Sequence, residues 1–263
     1  MHYHRHSYYE IFLFEKGGGL HVIDFKTFEI KDHSVHIVSP GQIHMLRREL
    51  NSTGNIILFS REFYEVGLIY EDHLYNMPYM NNNTSIPIID VPEAQWPMIN
   101  GCFNNTGIAY HRDYIEKDIL TRGHLHILLH ELKRLYLEKN PEVNSFINLY
   151  DVVRRFRIEI EQQFSRLHKP SQYADRLCIS TGHLNDRVKT ALGVTASDLI
   201  NERLILEIKR MLLFNDLNVS EIASSLNFDD TSYFNRFFKQ HTQFTPSDFR
   251  KEIRLKYHAG VCL

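Results

Sequence analysis

Cysteine is scarce and scattered. Cys102, Cys178 and Cys262 are the only three in 263 residues, and no CxxC pair occurs. That argues against a disulfide framework and suits a reducing compartment. Long apolar runs are missing as well, since nothing approaches the roughly 18 uninterrupted residues of a membrane helix. The opening MHYHRHSYYE has no apolar centre of the kind a signal peptide carries. A cytoplasmic protein with no membrane partner is expected. Glycine-rich phosphate loops, a GxSxG elbow and a Cys–His nucleophile pattern are all absent from the chain, so no catalytic residue is assigned and no enzyme is expected. A basic excess is lacking too: the net charge is −2, which by itself does not suggest a nucleic-acid binder.

The distribution of charge says more than the total. From Asp151 to the end there are 17 Lys and Arg against 14 Asp and Glu, a balance of +3, whereas residues 1 to 150 carry 13 against 18, a balance of −5. The later half is the one suited to an anionic partner. Histidine is lopsided in the other direction, with 12 of 16 before residue 151. Composition is otherwise ordinary for a globular chain, at 43% hydrophobic and 24% charged, and the length suggests two domains.

The first 60 or so residues read as short strands. EIFLFE, LHVIDF, FEI and VHIVSPGQIH are aromatic and β-branched runs separated by turn residues, with GGG at 17–19 as a break. A small antiparallel barrel or sandwich closes so many short strands. Residues 60–112 are less regular: NNNTS at 81–85 reads as a loop, and DVPEAQWPMI opens a helix with Pro92 near its first turn. In the next helix Leu125, Leu128, Leu132 and Leu135 recur at 3-4-3 spacing. Such a seam serves equally for packing on the helix's own barrel or for pairing across a dimer axis. Pro141 closes that helix, and KNPEVNS at 139–145 is the candidate linker.

Everything beyond 146 reads as helical, and it contains a repeat. SQYADRLCISTGHLNDRVKTALGVTASDL (171–199) aligns with SEIASSLNFDDTSYFNRFFKQHTQFTPSDF (220–249). Ala174 matches Ala223 and Leu177 matches Leu226 at an offset of 49; after one inserted residue, Leu184 matches Phe234, Val188 matches Phe238 and Asp198 matches Asp248 at 50. Each unit is a short helix, a tight turn and a longer helix. Asn227 suits a turn of positive φ. Asp229 or Asp230, and Ser180 or Thr181 in the first unit, suit the cap of the second helix. This is the grammar of a helix-turn-helix. Phe234, Phe237 and Phe238 would anchor the outer helix and hold its other face outward, as a major-groove reader requires. A connecting helix of about 16 residues spans roughly 24 Å at 1.5 Å per residue. The two outer helices could then lie near one turn of B-DNA, about 34 Å, apart.

Residues 147–257 resemble the DNA-binding region of AraC-type (AraC/XylS) transcription regulators. ALGVTASDLINERLILEIKRML (191–212) and, more specifically, VSEIASSLNFDDTSYFNRFFKQHTQFTPSDFR (219–250) carry the likeness. HYHRHSYYEIFLFEKGGG and SPGQIHML resemble the cupin-like sensory barrel of the same family. The resemblance implies an α+β chain: residues 1–140 would form a cupin-like ligand-sensing and dimerisation domain with accessory helices, and 141–263 an all-α DNA-binding domain with two helix-turn-helix units joined by a linker helix. It implies a ligand-responsive, sequence-specific regulator, more an activator than a repressor, controlled by a small metabolite such as a sugar. Double-stranded DNA, a small-molecule effector, RNA polymerase and a second copy in a homodimer are the implied partners. Departures exist. Gln243 and Asn227 stand where the family prefers glycine. The chain also begins just before His4, where members of the family carry an arm or strand, so either arm-dependent control is in doubt or the sequence is shortened at its start.

By that match Thr231, Ser232, Tyr233 and Arg236 are the base or phosphate readers of the second unit. Asn235 shares the outward face, and Lys239 suits a phosphate or solvent. Arg236 is the best guanine reader, because its fork fits O6 and N7. Gly182, His183, Asn185 and Asp186 occupy the matching face of the first unit, with Arg187 supplying charge. Arg203, Lys209 and Arg250 read as mostly solvated surface, some of it near phosphate.

In the barrel, His4, His6 and Glu10 fall at even separations, so a continuous strand would place them on one face that Phe12 and Phe14 continue into the core. His44 follows SPGQI where cupins place their last ligand. His4, His6, Glu10, Phe12 and His44 are therefore the candidate effector pocket. The rival reading makes His4, His6, Glu10 and His44 the ligands of a metal-dependent cupin enzyme or metal sensor; the preferred reading assigns no metal and no cofactor. The remaining early histidines, His21 and His36 among them, have no evident pairing, and His126 and His130 lie one helical turn apart.

Overall fold

The computed structural model describes residues 3–67, 73–74, 77–80, 86–141 and 151–258. The expected loop at 81–85, most of the linker at 139–145 and Cys262 lie outside these. Two compact units divide the chain, Met1–Asn144 and Ser145–Leu263. No described helix is long and apolar enough to cross a membrane.

The first unit is built on strands β1 (Tyr9–Lys16), β2 (Gly19–Ile23), β3 (Lys26–Glu29), β4 (Ser34–Val38), β5 (His44–Arg48), β6 (Thr53–Phe59) and β7 (Ile88–Asp90). They form two antiparallel sheets, ordered β6-β1-β4-β7 and β3-β2-β5. Strand β1 is buried on both faces, which is why it reads as an unbroken aromatic and β-branched run rather than an alternating one. Its register decides what the interior contains. Phe12 lies opposite His36 on β4 and Ile56 on β6, while Glu10 lies opposite Val38 and Leu58. Directly opposed residues share a face, so these six side chains line one surface. Ile11 and Leu13 point the other way, into a core shared with the helices.

Those helices are α1 (Arg61–Glu65), α2 (Trp96–His111) and α3 (Lys117–Lys139). Pro92 does not sit in the first turn of α2. It precedes a 3-10 turn at Glu93–Gln95, and Pro97 takes the first-turn position, where no backbone N–H is required. The leucine seam of α3 is not a dimer contact. Leu125, Leu128, Leu132 and Leu135 are buried in one core with Ile99 and Phe103 of α2 and with Ile11, Val35 and Ile37 of the sheet. At about 1.5–3 kcal/mol per buried leucine, that seam holds the helix in the core of its own unit.

The second unit contains α4 (Asp151–Gln163), α5 (Pro170–Arg176), α6 (Thr181–Leu192), α7 (Ala196–Phe214), α8 (Val219–Ser225), α9 (Thr231–Thr242) and α10 (Pro246–His258). The repeat is expressed in the backbone. Cys178 and Asn227, at the turns of α5–α6 and α8–α9, have φ of 56° and 57°. Ser180 and Asp230 are the N-caps of α6 and α9. Gly193 and Gln243 end the same helices in the left-handed region at φ 71° and 68°. Thr195 and Thr245 each bond the carboxylate three residues on, Asp198 and Asp248. All of these are short-range rules of helix start and stop, applied twice.

Both helix pairs share one core that α7 traverses. Phe156 and Tyr173 join Leu184, Val188, Ile200, Leu204, Phe234 and Phe238 in it. At 19 residues, α7 is longer than expected and spans about 28 Å. Three cations expected at the surface are structural instead. Arg203 is buried over the Phe164 ring and paired with Glu161 (2.9 Å) and Glu207 (3.1 Å). Lys209 is half-buried with its amine 5.8 Å from the Phe249 ring. Arg250 donates to the carbonyls of Leu212 (3.2 Å) and Leu217 (2.6 Å). It satisfies an acceptor that the last turn of α7 leaves open at Leu212 and another in the following loop at Leu217.

Candidate functional site

Two sites emerge, one in each unit. In the second unit α9 is fixed from beneath. Phe234, Phe237 and Phe238 are buried, and Phe228 packs on Phe234 (5.1 Å) and Phe237 (5.5 Å). Asp230 receives the free N–H groups of Ser232 (2.7 Å) and Tyr233 (3.1 Å), so the helix starts at a set residue. Those bonds hold the Asp230 carboxyl below its ordinary pKa. Ser232, Tyr233, Arg236 and Lys239 face solvent, while Thr231 and Asn235 are half-buried. Gln240, four residues after Arg236, joins the outward stripe; the same spacing could have found it. The Arg236 side chain is 71% exposed and lies 3.8 Å from Asp230, a loose surface pair that solvent screens. It is free to leave that partner for another anion.

The matching face of α6 differs. Leu184, Val188 and Ala191 point inward, and Gly182, His183, Asp186 and Arg187 point outward. Asn185 is half-buried and already engaged: its amide donates to the Thr181 carbonyl (3.2 Å) and accepts from the Ala196 N–H (3.3 Å). It braces α6 to the start of α7 rather than standing out with its neighbours.

Residues 173–252 match the model of a helix-turn-helix domain, and residues 1–65 match that of an AraC-like ligand binding domain. Together these matches support an AraC/XylS-type regulator with an N-terminal ligand-binding domain. Similar full-length relatives include the HTH-type transcriptional activator RhaS of Escherichia coli O81 (strain ED1a). It is 21% identical over 256 residues, which cover 94% of this chain and 87% of RhaS. The uncharacterized HTH-type transcriptional regulator YfiF of Bacillus subtilis (strain 168) is 24% identical, over 94% and 78%. Among solved structures, ToxT of Vibrio cholerae is similar at 14% identity and a TM-score of 0.45, over 94% of this chain and 90% of that one. The C-terminal domain of AraT, a response regulator from Geobacillus stearothermophilus, is similar at 28% and 0.38, over 40% and 88%. These findings support a ligand-responsive, DNA-binding regulator whose ligand-binding match lies within the first unit.

That AraC-like domain gathers histidines from four places in the sequence. The expected continuous strand through His4, His6 and Glu10 does not form, because β1 starts only at Tyr9 after a bend. His4 is instead held by a backbone bridge to His44 (3.1 and 2.9 Å), with their rings 4.2 Å apart. His6, Glu10 and His44 still converge. Nε2 of His6 lies 3.1 Å from Glu10 Oε2 and 3.2 Å from His44 Nε2, and the last edge of the triangle is 3.2 Å.

Two further histidines, without evident partners in the sequence, extend this group inward. His44 Nδ1 meets His21 Nε2 at 3.2 Å, and His21 Nδ1 meets His36 Nδ1 at 3.1 Å. Phe12 lies edge-on to His21 and Phe14 edge-on to His36. Burial holds these imidazoles neutral: His44 is pushed down to about 3, His36 to about 4, and His21 well below its ordinary value. The same face is uncovered along β6, where Ile56 and Leu58 are 46% and 54% exposed. The result is a buried chain of neutral hydrogen-bonding rings on the same face as the exposed Ile56 and Leu58. His126 and His130, one helical turn apart, each meet a backbone carbonyl instead of one another's rings: His126 that of Tyr64 and His130 that of His126.

Proposed function

We propose that this chain is a cytoplasmic transcription activator without enzymatic activity, which reads DNA with α9 and α6 and is controlled by a small metabolite such as a sugar. The observation that carries the reading is the rigid presentation of Arg236. A capped helix anchored by three buried phenylalanines holds an exposed, loosely paired guanidinium outward. Thr231, Ser232, Tyr233, Asn235 and Lys239 flank it as base or phosphate contacts. In the first unit Gly182, His183, Asp186 and Arg187 play the corresponding part, with Asn185 restricted by its bonds to Thr181 and Ala196.

Both readers share one core across α7, which supports entry into successive major grooves. The effector would bind the face formed by Glu10, Phe12, His21, His36, His44, Ile56 and Leu58. It acts by favouring one presentation of the DNA-binding units in a homodimer over another, and RNA polymerase is the partner that reads the outcome. Arg236→Ala should weaken binding to a selected genomic operator by about 1–3 kcal/mol, roughly 5- to 150-fold. Fluorescence anisotropy at fixed salt measures this. Wild-type affinity in the variant would remove α9 from the interface.

A further inference from the structure

Three hydrogen-bonding atoms meet at the mouth of the histidine chain, and among the described residues no group is placed to satisfy them together. His6 Nδ1 lies 2.7 Å from the Tyr8 carbonyl. A carbonyl only accepts, so this nitrogen carries a proton, and with one proton on the ring a bare Nε2 faces Glu10 and His44. The Glu10 carboxylate is buried, and its Oε2 accepts no hydrogen bond although two imidazole nitrogens lie within 3.2 Å. The relay from His44 through His21 to His36 can run in either sense. Donating inward from His44, it leaves His44 Nε2 bare, so three lone pairs face one another. Donating outward from His36, it places a proton on His44 Nε2, which Glu10 Oε2 and the bare His6 Nε2 must then share. A buried carboxylate without a partner is costly; with the relay donating inward, a cation at the centre satisfies all three at once.

We propose that His6, Glu10 and His44 hold a divalent transition-metal ion. Two imidazoles and one carboxylate form a donor set suited to iron(II), manganese(II), cobalt(II) or zinc(II). The edges of 3.1, 3.2 and 3.2 Å are those of donors sharing one ion. With bonds of about 2.1 Å, the donors stand roughly 97° apart, between octahedral and tetrahedral. Both rings are already oriented through their far nitrogens, His6 by the Tyr8 carbonyl and His44 by His21, as ligating histidines commonly are. His4 is not needed for the triangle. Three protein donors leave coordination positions open, and an effector with a carboxylate or hydroxyl oxygen would complete them. This second step rests on the effector reading, whereas the metal site does not.

The test uses the full chain stripped with a chelator and titrated with cobalt(II). One equivalent with visible d–d absorption is expected in the wild type. Glu10→Gln and His44→Gln should each weaken it by more than about a hundredfold, beyond the loss from an outer partner, while His130→Gln titrates as wild type. Zinc(II) should raise the melting temperature of the wild type and a chelator should reverse the rise; this reading decides the matter if the variants do not fold. Absence of a one-equivalent step, or an unchanged step in Glu10→Gln, overturns the proposal and marks any bound metal as an adventitious ion only. Operator binding by the stripped chain is measured alongside. Its persistence together with a failed titration removes the metal site alone, and its loss in Arg236→Ala bears only on the DNA reading.

Discussion

At the scale of single residues, the two ends of α6 and α9 make a controlled comparison. Gly193 and Gln243 hold nearly the same left-handed φ, 71° and 68°. Glycine takes that conformation freely, whereas a side chain costs about 1 kcal/mol. Gln243 is exposed. Gln243→Gly should therefore stabilise the chain by about 1 kcal/mol, read as a higher urea midpoint at unchanged slope. A fall in the midpoint would mean that the Gln243 side chain makes a contact worth more than the strain. Such positions were legible in the sequence because helix caps are local: Ser180, Asp230 and the threonine–aspartate pairs each depend on residues two or three places away. Arg203 was not legible. Its partner Glu161 lies 42 residues earlier, and only packing of α4 on α7 turns an apparent surface cation into a buried one.

At the scale of elements, the strand pairing of the first unit brings together residues that no local pattern connects. His21, His36 and His44 belong to β2, β4 and β5, and their contact follows from register across two sheets. The short strands themselves could be read from their runs, but their mutual order could not. The histidine chain has a consequence for acid stability. His36 is lowered to about 4 by burial, with Asp90 opposing the shift, whereas the unfolded ring titrates near 6.5. Below 6.5 the unfolded chain takes up a proton that the folded one refuses, so the stabilisation present above 6.5 is lost as pH falls toward 4. Once the pH is well below 6.5, the loss approaches about 1.4 kcal/mol per unit for each such ring. Melting of the first unit between pH 7.5 and 5 should show this decline, and His36→Gln should flatten it. A variant as acid-sensitive as wild type would place the effect elsewhere.

At the scale of the whole molecule, the proposed dimer needs a surface other than the leucine seam. A 3-4-3 pattern does not declare its partner, and here the core of its own unit takes it. The outward side of α3 offers Leu120, Gly123 and Ile127 at the same spacing, with both aliphatic side chains exposed. A Cβ on Gly123 would meet nothing within 4 Å. Alanine there would favour the helix by about 1 kcal/mol, so the chain's own packing does not require the glycine. Ile127→Glu should convert a dimer to a monomer in sedimentation at unchanged melting temperature. A dimer that survives would assign the contact to another face.

The repeat in the second unit is inexact, and the inexactness matters for gene control. One copy presents Arg236 where the other presents Asp186, so a single chain does not treat its two half-sites alike. A binding site read in this way has a head and a tail. Inverting it in front of a promoter would turn the sensor unit to the opposite side of the start point, and the same occupancy would then yield a different transcriptional output.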